Sequence, residues 1–174
     1  MQLNFKSSQD KVYVIDTSAL IQLDLIFKYD NPVFTAIWEE IEDLIGQGFF
    51  KTIDFVEDEI KSYEGKEEFL KQWVNKWKRL LVNVTDEQSI NEAIPIINSE
   101  YDTGFFDAKK LAEGKDEADP FLIAYCKVHG YTLITNENKN KPNKIPKVAE
   151  KYGVECIDIY EFLSQRELKM ERKK

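Results

Sequence analysis

Residues 119–135 read DPFLIAYCKVHG followed by YTLIT, and they constrain the fold more than any other part of the sequence. Asp119 is a good N-cap, Pro120 fits the first helical position and Gly130 gives the C-terminal stop, so this segment is predicted to begin with a helix. The β-rich run at 131–135 predicts a strand directly after it. A helix that leads into an apolar strand is typical of an α/β sheet.

The rest of the chain repeats this alternation of short β-rich runs and longer amphipathic segments. Further strands are predicted at residues 11–16 (KVYVID), 49–55 (FFKTIDF), 82–84 and 154–159 (VECIDI). Helices are predicted at residues 17–27, 31–45, 56–63, 66–81, 86–99 (broken or started at Pro95) and 160–168, with a basic loop at 139–147. Strands that alternate with helices imply right-handed crossovers and a mostly parallel sheet.

Length and composition restrict the classes of protein that the chain can belong to. Its 174 residues fit a single domain spanning 1–174, and 43% hydrophobic with 32% charged residues is globular. The sequence has no apolar run long enough to cross a membrane and no secretory signal at its N-terminus, so a cytoplasmic setting is expected. Cys126 and Cys156 are expected to be buried thiols. A single histidine excludes a His-rich zinc site, and the net charge of −8 argues against non-specific nucleic-acid binding.

Acidic residues follow the predicted strands at the positions where an open parallel sheet binds its ligands. Asp16 ends the first strand, Glu59 lies in the helix after the second, Asp119 opens the helix before the fourth, and Glu137 follows the fourth. Phosphodiester hydrolysis needs a cation that offsets phosphate charge and activates water. Carboxylates are the ligands that Mg²⁺ and Mn²⁺ prefer. If the four acids converge, they predict a divalent-metal site.

Each acid also has a simpler explanation. Asp16 and Asp119 could only cap helices, while Glu59 and Glu137 could be solvated carboxylates. Asp116, one helical turn before Asp119, could be a fifth carboxylate of the cluster.

Glu57 and Asp58 compete with Glu59 for the same role. If Val56 and Ile60 point into the core, Glu59 lies beside that buried face, which favours it over the other two.

The segments VIDTSAL, VEDEI and ADPFLIAYCKVHGYTLITNE, in this order, resemble the PIN-domain nucleases, and in particular the toxin-type PIN-like proteins of bacteria and archaea. By position, Asp16, Glu59, Asp119 and Glu137 match the four acidic residues of that family. The resemblance implies a three-layer α/β/α fold with a central, mostly parallel sheet. It also implies an RNA substrate, a ribonuclease activity dependent on Mg²⁺ or Mn²⁺, frequent homodimerisation and an antitoxin that blocks the site.

The chain departs from the family pattern in two places. Glu137 stands where Asp is more common, and its extra methylene suggests a role through water. Residues 64–100 are an added helical region, in which Trp73 and Trp77 are expected to pack in the core or at an interface rather than stack on bases. Residues 166–174 are expected to form a frayed basic tail.

The mechanism that these residues predict is metal-dependent hydrolysis. Asp16 and Asp119 are expected to bind the metal directly, Glu59 to help position it and to be a candidate acceptor of the water's proton, and Glu137 to act through water or a second metal. Lysines within 139–147 are expected to attract the RNA backbone. Three hydroxyls are expected to orient ligands or hold phosphate oxygens: Thr17, Ser18 and Thr135.

Other functions remain open at this point. A phosphatase with an aspartyl nucleophile needs a D-x-D motif, whereas Asp16 is followed by Thr17 and Ser18. The main alternative is a catalytically inactive PIN-like module for binding or assembly. The sequence leaves open the RNA that is cut, single-stranded DNA as a substrate, and the number of metals.

Overall fold

The structure is a computed structural model that describes residues 11–63, 68–107 and 117–168. Its strands are β1 (Tyr13–Ile15), β2 (Phe50–Ile53), β3 (Val82–Asn83), β4 (Thr132–Ile134) and β5 (Cys156–Ile157). They form one sheet in the order β3-β2-β1-β4-β5, and every neighbouring pair is parallel. The prediction of a parallel α/β sheet is therefore confirmed.

Helices connect the strands and complete the three-layer α/β/α architecture. They are α1 (Thr17–Ile26), α2 (Thr35–Gln47), α3 (Asp54–Ser62), α4 (Glu68–Leu81), α5 (Glu87–Glu100), α6 (Asp119–His129), α7 (Ile145–Lys151) and α8 (Ile159–Gln165), with a 3₁₀ turn at Pro32–Phe34 before α2. No helix within the described ranges has the length and apolar character required to cross a membrane.

The central strand β1 fixes the position of the first acid. All three of its residues are fully buried, as expected for a strand covered on both faces. Its partner β4 is in register, with Ile15 paired to Ile134. Asp16 follows β1 and Thr135 follows β4, so these two residues lie side by side at the carboxyl edge of the sheet.

The added helical region packs onto α2 through its tryptophans. The rings of Trp38 and Trp73 lie 5.2 Å apart in an edge-to-face arrangement. The indole N–H groups of Trp73 and Trp77 both donate to Oε1 of Glu42, at 2.9 and 3.0 Å. The prediction that Trp73 and Trp77 serve packing is confirmed, and Glu42 satisfies their polar atoms.

Glu42→Ala is expected to lower the free energy of unfolding by about 2 kcal/mol, because two indole donors lose their acceptor. Glu42→Gln keeps the oxygen at the same position, so a loss of less than about 1 kcal/mol is expected. Urea unfolding followed by tryptophan fluorescence measures both values. Equal losses in the two variants would contradict this role for the Glu42 oxygen.

Helix α6 begins differently from the prediction. Ala118 occupies the N-cap position and makes no side-chain cap, while Asp119 is the first helical residue. The prediction that Asp119 is the N-cap is wrong, because Ala118 already has helical dihedral angles (φ −69°, ψ −28°). The Asp119 carboxylate is therefore not consumed by capping.

Two other local predictions are also corrected. Helix α5 continues through Pro95 instead of breaking or starting there, because the buried side chains of Ala93 and Ile96 hold it against the core. The basic segment 139–147 is a loop only to residue 144, since α7 begins at Ile145 with Pro146 in its first turn.

The remaining predictions have mixed outcomes. Cys126 is a buried free thiol as predicted, whereas Cys156 is partly exposed. Arg166, the first residue of the predicted frayed tail, instead pairs with Glu40 at 2.7 Å. Asp116, with residues 64–67 and 169–174, lies outside the described residues.

Candidate active site

All four predicted acids line one pocket of about 950 Å³ at the carboxyl edge of the sheet: Asp16, Glu59, Asp119 and Glu137. The parallel strand order brings them together, because β1 and β4 are neighbours and both end at this edge. The structure thus joins residues that are spread over more than a hundred positions of the chain.

Asp16 is held rigidly at the floor of the pocket, with 3% of its surface exposed. It caps α1 by accepting a hydrogen bond from the N–H of Ala19 at 2.6 Å, and it also accepts from the hydroxyls of Ser18 (2.9 Å) and Thr135 (2.7 Å). Burial raises its pKa to about 7, although these hydrogen bonds act in the opposite direction. Asp16 is therefore both a cap and a member of the acidic cluster.

Asp119 has the least compensated charge of the four. Within the described residues no hydrogen bond reaches its carboxylate, which faces the pocket from the first turn of α6. Burial, followed by the negative charges of Glu137, Asp16 and Glu59, raises its pKa well above the usual range of an aspartate. A bound cation would relieve this repulsion.

Glu59 connects three elements around the pocket. One carboxylate oxygen accepts a short hydrogen bond from the hydroxyl of Thr17 in α1. The other accepts a long one, 3.4 Å, from the N–H of Ala118 at the start of α6. The side chain is thereby held in the wall of the pocket.

Glu57 and Asp58, the neighbours of Glu59 in α3, lie in different surroundings. Glu57 is buried away from the pocket, where it binds Lys61 at 2.7 Å and Lys78 at 2.8 Å. Asp58 borders the pocket, but its side chain is largely exposed to solvent. The preference for Glu59 over Glu57 agrees with this placement.

Glu137 is bound through both of its carboxylate oxygens. Oε1 lies 2.7 Å from Nζ of Lys144, and Oε2 accepts the N–H of Ile145 at 2.8 Å. Its own N–H donates to the hydroxyl of Thr135 at 3.2 Å. Because both of its oxygens already have partners, Glu137 is suited to act on a metal through water rather than as a direct ligand.

Two further acids of the pocket wall, Glu117 and Asp107, were not predicted from the sequence. Glu117 is buried, and its Oε1 accepts the N–H of Asp107 at 2.8 Å. The run DEAD at 116–119 was the available signal, but only Asp116 was considered there, because it lies one helical turn before Asp119. Residues 117 and 118 precede the helix, so that spacing does not apply to them.

The lysines of the 139–147 segment are mostly occupied by ion pairs. Lys139 binds Asp158 at 2.7 Å, and Lys147 binds Glu150 at 2.7 Å, both outside the pocket. Among the described residues that line the pocket, Lys144 is the only basic one. The prediction that this segment attracts RNA therefore rests mainly on Lys144.

The donors of the pocket fit a hard divalent cation in their chemistry and charge. Within the described ranges, seven carboxylates line it: Asp16, Asp58, Glu59, Asp107, Glu117, Asp119 and Glu137. In the part of the chain that the structure describes, however, no three Asp, Glu, His or Cys side chains are arranged so that they could hold a metal ion. Protein donors engage Asp16, Glu59 and Glu137, but those of Asp16 are uncharged, whereas Glu137 binds an ammonium group. Asp16 and Asp119 are also the two acids whose pKa values burial raises, so they are the first candidates for ligands.

One family model and two solved structures resemble this chain over most of its length. A family model described as "Domain of unknown function (DUF4411)" matches residues 13–170. A chain of the crystal structure of DNA-bound VapBC from Salmonella typhimurium aligns with a TM-score of 0.52 and 16% identity, over 85% of this chain and 98% of that one. A chain of FitAB bound to an IR36 DNA fragment aligns with a TM-score of 0.46 and 14% identity, over 84% and 94%. No curated protein matches the sequence.

At 16% identity the VapBC comparison concerns the fold alone. Together with the all-parallel sheet and its helices, it confirms the three-layer PIN-like fold that the sequence predicts.

Proposed function

The chain belongs to the DUF4411 family, and we propose that it is a divalent-metal-dependent nuclease that hydrolyses RNA phosphodiester bonds. The observation that carries the proposal is the convergence of four carboxylates from four separate segments on one pocket of a PIN-like fold. Burial and mutual repulsion raise the pKa values of Asp16 and Asp119. Such a cluster is costly as structure alone and useful as a cation site.

Each side chain has a defined part in this proposal. A bound Mg²⁺ or Mn²⁺ ion would supply positive charge for the phosphate and acidify the attacking water. Asp16, fixed by Ala19 and Thr135, and Asp119 would hold that ion. Glu59 faces the same pocket and would accept the proton of the attacking water. The hydroxyl of Thr17 keeps the Glu59 carboxylate oriented.

We also propose that the protein is the toxin of a toxin–antitoxin pair, with an antitoxin protein as its partner. The fold shared with a chain of the VapBC complex supports this role. Homodimerisation is a further expectation from the same resemblance. Co-expression with a neighbouring reading frame, followed by purification of a stable complex that suppresses cleavage, is the test.

A catalytically inactive PIN-like module is the second candidate function. It is favoured by one observation, the absence of a ready-made metal-holding group among the described side chains. Incubation of the purified chain with end-labelled single-stranded RNA separates the two candidates. Cleavage in Mg²⁺ or Mn²⁺ that EDTA abolishes supports the nuclease, and intact RNA together with no heat of Mn²⁺ binding supports the inactive module.

Glu59→Gln is expected to reduce the cleavage rate by about 100-fold, because the amide cannot accept the proton of the attacking water. Glu57→Gln is the matched control, since it changes a buried carboxylate of the same helix that binds Lys61 and Lys78 outside the pocket. This control is expected to lose stability but to keep its rate within about threefold. Initial rates of RNA cleavage at saturating Mn²⁺ measure both effects. An unchanged rate for Glu59→Gln would contradict the role assigned to Glu59.

A further inference from the structure

We propose that Lys144 is a phosphate-binding residue of this site, where its ammonium group takes the place of a second metal ion, so that the pocket holds one divalent cation and one fixed lysine charge. The inference rests on the proposed nuclease function and extends it to the number of metals and to the group that binds the substrate phosphate.

Glu137 fixes the position of Lys144 through contacts made by both of its carboxylate oxygens. Ile145, the first residue of α7, donates its backbone N–H to Oε2 of Glu137 at 2.8 Å. The other oxygen of Glu137 holds Nζ of Lys144 at 2.7 Å. The side chain of Glu137 is only 16% exposed, whereas that of Lys144 is 39% exposed. The Glu137 carboxylate thus holds Lys144 in place from within the pocket wall, and the Lys144 ammonium group remains accessible from the pocket.

The charge balance of the pocket gives this ammonium group a function. Seven carboxylates line the pocket, and Lys144 is the single basic side chain among the lining residues that the structure describes. Besides Glu137, the charges of Asp119 and Glu117 act on it. A nucleic-acid phosphate must enter this negative surface, and one divalent ion cannot offset all seven carboxylates. A fixed cation beside the metal site lowers the repulsion on the phosphate.

The same contacts argue against a second metal. In two-metal sites both ions stand close together and share carboxylate ligands. Here Oε1 of Glu137 is neutralised by an ammonium group and Oε2 accepts a backbone N–H. The donors of Asp16 are all uncharged, so its negative charge remains for a cation. Glu137 is therefore assigned to positioning Lys144 and not to binding a metal.

The competing explanation is an ordinary surface ion pair, which contributes little to stability or function. Lys147 provides a matched control for that explanation. It lies three residues further on and binds Glu150 at the same distance, 2.7 Å, but it does not line the pocket. Lys144→Gln and Lys147→Gln therefore remove the same charge and an ion pair of the same length.

Two binding measurements test the proposal with the full chain. Isothermal titration with Mn²⁺ should show one ion per wild-type chain and about tenfold tighter binding to Lys144→Gln, because a nearby positive charge is lost. Lys144→Gln should bind a hydrolysis-resistant phosphorothioate RNA about tenfold more weakly than the wild-type chain in saturating Mn²⁺. The slope of its log binding constant against log salt concentration should be smaller by about 0.7. Lys147→Gln should change neither affinity more than about twofold.

The opposite signs of the two effects separate the proposal from a structural role. Weaker binding of both Mn²⁺ and RNA by Lys144→Gln, or equal behaviour of Lys144→Gln and Lys147→Gln, would overturn it. So would two Mn²⁺ ions per wild-type chain. Lys144→Arg keeps the charge and should restore RNA affinity to within about threefold of wild type, and failure of this rescue counts against the proposal.

Failure of the nuclease function itself has a different signature. A wild-type chain that neither binds Mn²⁺ nor cleaves RNA overturns both proposals. A wild-type chain that does both, while Lys144→Gln behaves like Lys147→Gln, overturns only the role of Lys144.

Discussion

Asp16→Asn is expected to reduce metal-dependent RNA cleavage by about 1,000-fold or more, while the chain stays folded. Asn can accept the N–H of Ala19 and donate to the hydroxyl of Thr135, so the cap of α1 and the link to β4 remain. The variant loses only the negative charge that is proposed to hold the cation. Cleavage of labelled RNA in Mn²⁺, with circular dichroism to verify folding, measures the effect.

Asp24→Asn is the matched control for this experiment. Asp24 is a buried aspartate of the same helix that lies 3.7 Å from Lys28 and does not line the pocket. Its replacement should keep the cleavage rate within about threefold.

Asp16→Asn should also raise the stability of the metal-free protein at pH 8 by about 2 kcal/mol, because a buried charge is removed. Cleavage by Asp16→Asn at the wild-type rate would rule out the proposed mechanism.

The metal-free protein is expected to lose stability as the pH rises from about 4 to about 7. In the unfolded chain Asp16 releases its proton near the ordinary value of 3.8, whereas in the folded chain its pKa is about 7. The folded state therefore binds more protons in this window, so the free energy of unfolding falls with rising pH, by at most about 4 kcal/mol for this group. The raised pKa of Asp119 adds a change of the same sign.

Saturating Mn²⁺ should reverse this loss at high pH. At about 100 times its dissociation constant a ligand stabilises by about 2.7 kcal/mol, which corresponds to about 5–10 °C in melting temperature for a chain of this length. At pH 5 the protonated carboxyl groups compete with the ion, and a shift of about 1 °C is expected. Thermal melts at pH 5 and pH 8, with Asp16→Asn as the control that should not respond, provide the measurement. Equal Mn²⁺ shifts at both pH values would contradict the assignment of Asp16 and Asp119 as ligands.

The placement of the acids could be predicted from the sequence because the sheet is parallel. Once KVYVID and YTLIT are strands of one parallel sheet, their carboxyl ends meet, and Asp16 and Glu137 follow those ends directly. The preference for Glu59 over Glu57 followed from the hydrophobic face of a single helix. These inferences need only local periodicity and one topological rule.

The features that the sequence did not reveal depend on tertiary contacts. Glu117 lies just before α6 and outside the helix, where no periodic pattern marks a buried position. The path of α5 through Pro95 is decided by packing of its buried face and not by the local preference of proline. The pairing of Lys144 with Glu137 depends on where α7 begins, and no helix was predicted between the basic loop and the last strand.

The hydrogen bond between Asp16 and Thr135 joins residues that are 119 positions apart. A ribosome adds residues one at a time, so the first strand leaves the exit tunnel long before the strand that completes the floor of the pocket. Pairing between such distant segments is slow and occurs late in folding. The proposed nuclease activity therefore could not arise in the growing polypeptide until the segment that carries Thr135 has been synthesised and has paired with the first strand.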